Sequence, residues 1–301
     1  MDMFDEFLSE IVRVAGKLSD KTFSFVHASK ELEKYVNDID DIKPIVAAIG
    51  VIPESIVHDS TEEKLFAKAS DAVLSRAFIE LGLKSVVLAE RGNAADVVAK
   101  SKYHDYSLVG DAKAFRMSRT AKNQKDFKVE SLDGWRVDNN YAVLASPYFQ
   151  YPKKESQIYK QAVDRNVLLF TWEHILLMLE NEIKETPDFS LETIWNWSSG
   201  YAGTVSVANS NKNFIREFNE FFLGVLHLSM DQFKDLLIND IALLKQRSDS
   251  EKHFWQGKIQ EIRSMTREEA ITELLIEKKI GSKIMTIDKY IGGLNADRYT
   301  V

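Results

Sequence analysis

Cysteine is absent from the 301 residues, which removes disulfides, thiolate metal sites and cysteine nucleophiles together and suits a reducing, cytoplasmic setting. Proline and glycine are scarce, at 5 and 13 residues, so collagen-like, linker-rich and low-complexity architectures are excluded. No run approaches the roughly 18 apolar residues that a membrane span needs. Met1 to Ser9 carries three acids where a signal peptide would be basic, so neither a secretory leader nor a membrane partner is expected. A glycine-rich phosphate loop is also missing, and no nucleotide cofactor is expected. Nor is there an excess of positive charge: 39 basic against 46 acidic residues leave a net −7, which argues against a general nucleic-acid-binding coat.

What is present is an ordinary globular composition, 45% apolar and 28% charged, long enough for about two domains. The first part, 1–58, reads as helical: Phe4, Leu8, Ile11, Val12, Ala15 and Leu18 recur at helical spacing, with a weaker segment over Lys30 to Val36. Ser60-Thr61-Glu62-Glu63 has the form of a capping box. From it an apolar stripe runs through Leu65, Phe66, Ala69, Val73, Ala77, Phe78 and Leu81, and Gly82 can end the helix in a left-handed conformation. Short β-branched runs follow at Ser85 to Leu88, Asp96 to Ala99, Ser107 to Phe115, Tyr141 to Ala145 and Val167 to Trp172, with a helical segment, Ser156 to Asp164, before the last. Strands mixed with crossover helices predict an α/β core, a mixed β-sheet flanked by helices, over 59–197. Glu173 to Glu180 reads as helix, and the Ser-, Gly- and Asn-rich stretch 198–213 as a loop or linker. Phe214 to Leu228, Met230 to Leu244, His253 to Ile262 and Arg267 to Leu275 make 214–301 an all-helical C-terminal module, with capping boxes at Ser229/Gln232 and Thr266/Glu269.

Two features carry chemistry. Asp111 and Lys113 interrupt the apolar run Ser107 to Phe115 two residues apart, so on a strand they share a face with Cα atoms about 6.6 Å apart. A carboxylate there can hold Mg²⁺, while the ammonium orients or deprotonates a water and offsets phosphate charge. Asp96 opens the preceding strand, and a hairpin over Lys100 to Asp105 would return it beside Asp111. Two carboxylates, a main-chain carbonyl and phosphate oxygens make an oxygen-rich shell of the kind Mg²⁺ prefers. The pattern alone is also compatible with a surface hairpin holding one salt bridge. The second feature follows at once: Arg116, Arg119, Lys122, Lys125 and Lys128 recur every three residues, opposed only by Asp126, giving +4 over 13 residues. Such a one-sign segment fits phosphate contact; a solvated loop without a partner is the other reading on charge alone.

The order of acidic helix, Asp, Asp-x-Lys and basic loop resembles the PD-(D/E)xK nuclease fold. The wording is similar to the HindIII restriction endonuclease family at Arg91-Gly92-Asn93-Ala94 with Asp96, at Asp111-Ala112-Lys113 and along Ser118 to Val129. Further similarity lies at Ser60-Thr61 with Glu63 to Phe66, Phe149 to Pro152, Val167 to Phe170 with Trp172 to His174, and Thr266 to Ile271. The chain departs over Val86 to Glu90, hardly matches in its first forty residues, and has Ala95 where the fold usually places Pro. The resemblance implies a type II restriction endonuclease, Mg²⁺-dependent and homodimeric, cutting double-stranded DNA at a palindrome, with AAGCTT suggested. It implies a nuclease core over 59–197. Asp96, Asp111 and the main-chain carbonyl of Ala112 would be metal ligands, and Lys113 would position or activate water. Glu63 is a candidate fourth catalytic member, against its role in the capping box, and Glu90 is a further acidic candidate.

Within the loop, 116–129, Lys122, Asn123, Gln124, Lys125 and Asp126 supply donors matching guanine, amides matching adenine and an acceptor for cytosine N4. Arg116 and Arg119, nearer the strand, are read as phosphate contacts. The six histidines lack metal-ligand spacing, and His174 is read as structural. Trp195 and Trp197 are read as core or interface, and Phe214, Phe218, Phe221 and Phe222 as a core or dimer stripe. A DNA-binding regulator without catalysis would keep the loop and lose Asp96, Asp111 or Lys113; all three are present, which favours the enzyme. A junction or repair nuclease on the same core is the remaining alternative.

Overall fold

The computed structural model describes residues 2–88, 95–119, 124–152, 156–202 and 210–292. Three helices open the chain: α1 (Met3–Lys17), α2 (Phe25–Asn37) and α3 (Lys43–Val46). Asp2 and Ser24 cap the first two, and in each the residue three on returns a bond to the cap N–H. Both pack on α4 (Thr61–Glu80), whose other side lies on the sheet. Covered from two sides, α4 is buried all round at Leu65, Phe66 and Ala69 to Ser75, polar Ser70, Asp71 and Ser75 included. The single apolar stripe expected of it is too narrow, because it is a central rather than a surface helix. Leu81 and Gly82 end it; Gly82 has φ +93° and lies against the main chain of Glu185, so a side chain there is excluded twice over.

Five strands form one sheet in the order β1 (Lys84–Val87), β2 (Val97–Lys100), β3 (Ser107–Ala112), β4 (Tyr141–Ser146), β5 (Val167–Thr171). The first three are antiparallel neighbours and the last three parallel. The connections dictate this: a short turn joins β2 to β3, whereas β3 reaches β4 through α5 (Gln124–Phe127) and α6 (Val129–Trp135), and β4 reaches β5 through α7 (Gln157–Asp164). Strand β5 is buried at every position and β4 at all but its first, as parallel strands covered on both faces must be. The mixed sheet flanked by helices is thus the expected architecture. Its ends differ from the expected ones. Asp96 lies one residue before β2, and Lys113 to Phe115 lie beyond β3, because Phe115 leaves the sheet to bridge Val51, its N–H donating to Gly50 and its carbonyl accepting from Ile52.

After β5 come α8 (Trp172–Glu180), α9 (Glu192–Trp195), α10 (Trp197–Ala202), α11 (Ser210–Leu226) and α12 (Met230–Ser264). The stretch 198–213, expected as a loop, is helical at both described ends, while 203–209 lie outside the described residues. Aromatic packing overrides its composition: Trp197 stacks on Tyr201 at 4.6 Å between ring centroids and meets Phe214 edge-on at 4.9 Å. Two expected helices, Met230 to Leu244 and His253 to Ile262, are one continuous α12, since neither Gly nor Pro lies between them. Trp195, Trp197, Phe214, Phe218 and Phe222 are core residues, and buried His174 stacks between Phe170 and Phe233, in keeping with the structural readings. The chain divides into two compact units, Met1–Ser248 and Asp249–Val301. The second contains α13 (Arg267–Glu277), started by the Thr266/Glu269 capping box, and α14 (Ile280–Gly292). Among the described residues no helix is long and apolar enough to cross a membrane.

Candidate active site

The site begins with Gly110. A Cβ there would lie 3.1 Å from both Leu74 Cδ2 and Phe78 Cε2, so the glycine lets α4 settle closely on β3 immediately before Asp111. The same helix carries Asp71, one turn before Leu74. From the other side, the β2–β3 register pairs Val97 with Gly110. Asp96, the residue before Val97, therefore stands across from Asp111, as the hairpin argument expects. One carboxylate oxygen from each of Asp71, Asp96 and Asp111 lies within 4.8 Å of the other two.

Three carboxylates this close repel, and two of them are buried. Burial, then the charge of Asp96, pushes the Asp71 carboxyl well above the usual carboxylate range; burial also raises Asp111, against the pull of Lys113 and of Lys128. Two ammonium groups offset the charge. Lys113 Nζ lies 2.5 Å from Asp111 Oδ2, and Lys68, one turn before Asp71 on α4, pairs with Asp71 Oδ2 at 3.2 Å and with Asp96 Oδ1. Burial lowers the Lys68 pKa, but Asp71 and Asp96 more than reverse that and leave it raised. Although Lys113 sits past the strand end, its main chain is fixed: its N–H donates to Ala145 at 2.7 Å, and its carbonyl accepts from Trp172 Nε1 at 2.9 Å.

The donor set fits a hard divalent cation. All three side chains offer carboxylate oxygens, the ligands that Mg²⁺ selects. Asp111 Oδ2 is buried without a well-directed hydrogen bond, since the Lys113 ammonium approaches off-line. Ala112, the third expected ligand, ends β3 between Asp111 and Lys113, paired with Ala145.

Glu63 belongs elsewhere. The Ser60 hydroxyl caps its N–H at 3.1 Å, but the Glu63 carboxylate does not return to Ser60 as a capping box requires. It accepts instead from Asp59 N–H at 2.7 Å, from His58 Nδ1 at 3.0 Å and from Arg116 Nη2 at 2.7 Å. Burial would raise its pKa, yet Arg116 and the Asp59 N–H hold it below the usual value. Asp71, two turns further along the same helix, is the acid that α4 brings to the cluster.

The basic segment is anchored at its root. Arg116 also donates to the carbonyl of Pro53 at 2.9 Å, and Ser118 donates through N–H and hydroxyl to buried Glu54. The Arg116 side chain, expected as a phosphate contact, is largely covered and pairs with Glu63. Arg119 is exposed and pairs with Asp126 at 2.9 Å. Gln124 to Phe127 form the single turn α5, Lys125 is exposed, and Lys128 has φ +50°. Lys122, Asn123 and Glu90 lie outside the described residues.

Asp71 and Lys68 escaped the sequence reading. The signal was a carboxylate within an otherwise apolar and small-residue stretch of helix, Ala69 to Ser75, preceded by a lysine one turn back; it becomes legible once α4 is known to be buried on all sides.

A family model described as HindIII restriction endonuclease matches residues 5–290. The chain is also 44% identical over 292 residues to the type II restriction enzyme HindIII of Haemophilus influenzae, covering 96% of this chain and 97% of that protein.

Proposed function

The chain belongs to the HindIII restriction endonuclease family and is a type II site-specific endonuclease, and on that premise we propose that it cuts double-stranded DNA at AAGCTT in a Mg²⁺-dependent reaction, as the nuclease of a cytoplasmic restriction–modification system. The observation that carries this reading is the meeting of Asp71, Asp96 and Asp111 with Lys113 at one end of β3, directly before the basic segment. Asp96 and Asp111, with Asp71 and the carbonyl of Ala112, would hold Mg²⁺, which when bound polarises the scissile phosphate and acidifies the attacking water.

The protein groups do the rest. Lys113, held by Asp111 and by its fixed main chain, donates to the water or to a phosphate oxygen and offsets the charge that grows in the transition state. Glu54, Glu63 and Pro53 fix the root of the basic segment through Ser118 and Arg116. From that root Arg119 reaches phosphates, while Lys122, Asn123, Gln124, Lys125 and Asp126 read base edges. A six-base palindrome asks each subunit of a two-fold homodimer to distinguish three base pairs.

Digestion of two plasmids, one with a single AAGCTT and one with none, tests the reading. Linear product from the first alone, with Mg²⁺ and not with EDTA, is expected. Nicking at DNA junctions, or a gel shift without cutting, would replace it with the repair-nuclease or the regulator reading.

A further inference from the structure

Two ammonium groups divide the three carboxylates unequally. Lys113 serves Asp111, while Lys68 reaches both Asp71 and Asp96 from α4. Lone pairs that accept from an ammonium are the same ones a divalent cation needs, so Lys68 and a metal compete for these oxygens. A lysine suits that competition, being a single point charge on a flexible stem that can withdraw without disturbing the backbone.

There is somewhere for it to go. Lys68 also lines a small cavity of about 70 Å³, together with Phe25, Val26, Ser29, Lys30, Glu33, Val87 and Leu88. The apolar members match the lysine stem, and Glu33, half-buried on α2, offers an acceptor for its head. Burial raises the Glu33 pKa against the pull of Lys30, so an arriving second ammonium would further stabilise its charged form.

We propose that Lys68 is an internal counter-cation of the active site, a positioning residue that occupies Asp71 and Asp96 and yields them to the divalent cation by turning into the cavity toward Glu33. This rests on the reading of Asp71, Asp96 and Asp111 as metal ligands. Lys68 thereby sets the metal concentration at which the site loads, and it prevents three facing carboxylates from repelling one another in the interval.

Mn²⁺ binding to the full-length protein, followed by electron paramagnetic resonance, tests it. Lys68→Met should bind Mn²⁺ about tenfold more tightly than wild type, the effect of removing one competing charge at a partly solvated site. Lys68→Arg, which keeps the charge, should not. Glu33→Gln should bind severalfold more weakly, and should have no effect when combined with Lys68→Met. A merely structural lysine would give weaker binding on removal, so unchanged or weaker binding by Lys68→Met overturns the proposal, as does a Glu33→Gln effect that persists in the double variant. If Lys68→Met does not fold, Lys68→Gln carries the same comparison. Failure of wild type to bind Mn²⁺ in a manner abolished by Asp111→Asn would overturn the metal-ligand reading itself, and this inference with it.

Discussion

The indole N–H of Trp172 donates to the main-chain carbonyl of Lys113 at 2.9 Å, tying the first residue of α8 to the residue whose ammonium meets Asp111 in the candidate site. Lys113 lies just past the end of β3, so this bond and the one from its N–H to the Ala145 carbonyl on β4 fix its backbone. The Lys113 side chain starts from a fixed point as a result, and its approach to Asp111 follows from backbone geometry.

Trp172→Phe keeps an aromatic ring and removes the donor. Cleavage in single-turnover assays should fall by about tenfold, with DNA affinity within a factor of two of wild type, since displacement near the chemistry costs rate more than binding. Equal rates for variant and wild type would show that Lys113 needs no such support.

Asp71→Asn, Asp111→Asn and Lys113→Ala should each abolish detectable cleavage while circular dichroism and thermal melting report a folded protein. Glu63→Gln should retain cleavage within about tenfold, since its partners are Arg116, His58 and the Asp59 N–H. Plasmid digestion with purified variants ranks them. If Glu63→Gln is as inactive as Asp71→Asn, the assignment of the helix acid is wrong.

Lys113 meets Asp111, but from just past the end of β3 and not, as the spacing predicts, from the same face of the strand. Asp96 beside Asp111 was legible because a hairpin returns its first residue to its last. Asp71 was not, because helical periodicity divides a helix into one buried and one exposed side, whereas α4 has helices on one side and the sheet on the other. Charge spacing located the basic segment but could not tell reader from tether: the partners of Arg116, Pro53 and Glu63, lie 63 and 53 residues away in sequence. Composition misread 198–202 for a similar reason, since the rings that fold Trp197 into a helix include Phe214, beyond the polar stretch.

For the basic segment, affinity for cognate and random duplexes across a salt series separates the roles. Asn123→Ala and Lys125→Ala should cost roughly 1–3 kcal/mol on the cognate site and little on random DNA. Arg119→Ala should weaken both and lower the salt slope by about one unit. Arg116→Ala should instead lower the melting temperature, because it removes one of the donors to Glu63 and one of those to the Pro53 carbonyl. Equal losses on both DNAs for Asn123→Ala would show that Asn123 does not read bases.

Concerted cutting of both strands needs two copies of the site. Sedimentation should therefore give about twice the 34.4 kDa chain mass at assay concentration. A monomer that makes double-strand cuts without passing through nicked plasmid would contradict the dimer.

Glu173 and Asp240 form a second buried acidic pair, distinct from the active site, joining α8 to α12 along a cavity of about 370 Å³. Burial, and then the charge of Asp240, lifts Glu173 to about 8, and burial lifts Asp240 to about 6. Both are raised above the value near 4 that they take in the unfolded chain. The unfolded state therefore releases its protons first, and the pair's contribution is complete below about pH 4 and lost as pH climbs toward 8. His174 acts in the opposite sense: burial lowers it to about 3, so its contribution is complete above about pH 6.5 and lost as pH falls below that. Glu173→Gln removes the share of the upper loss that belongs to Glu173 and leaves that of Asp240 and the lower loss. Its amide oxygen can still accept from the Tyr148 N–H, which now donates to Glu173 Oε2 at 2.9 Å. The variant should melt several degrees above wild type at pH 8, and the gap should close as pH approaches 4.5, where the carboxyl is protonated in the unfolded chain as well. Calorimetric scans at half-unit pH intervals would show it. Melting curves that stay parallel across that range would mean that Glu173 ionises alike in the folded and unfolded chain, and that water or a cation reaches the pair.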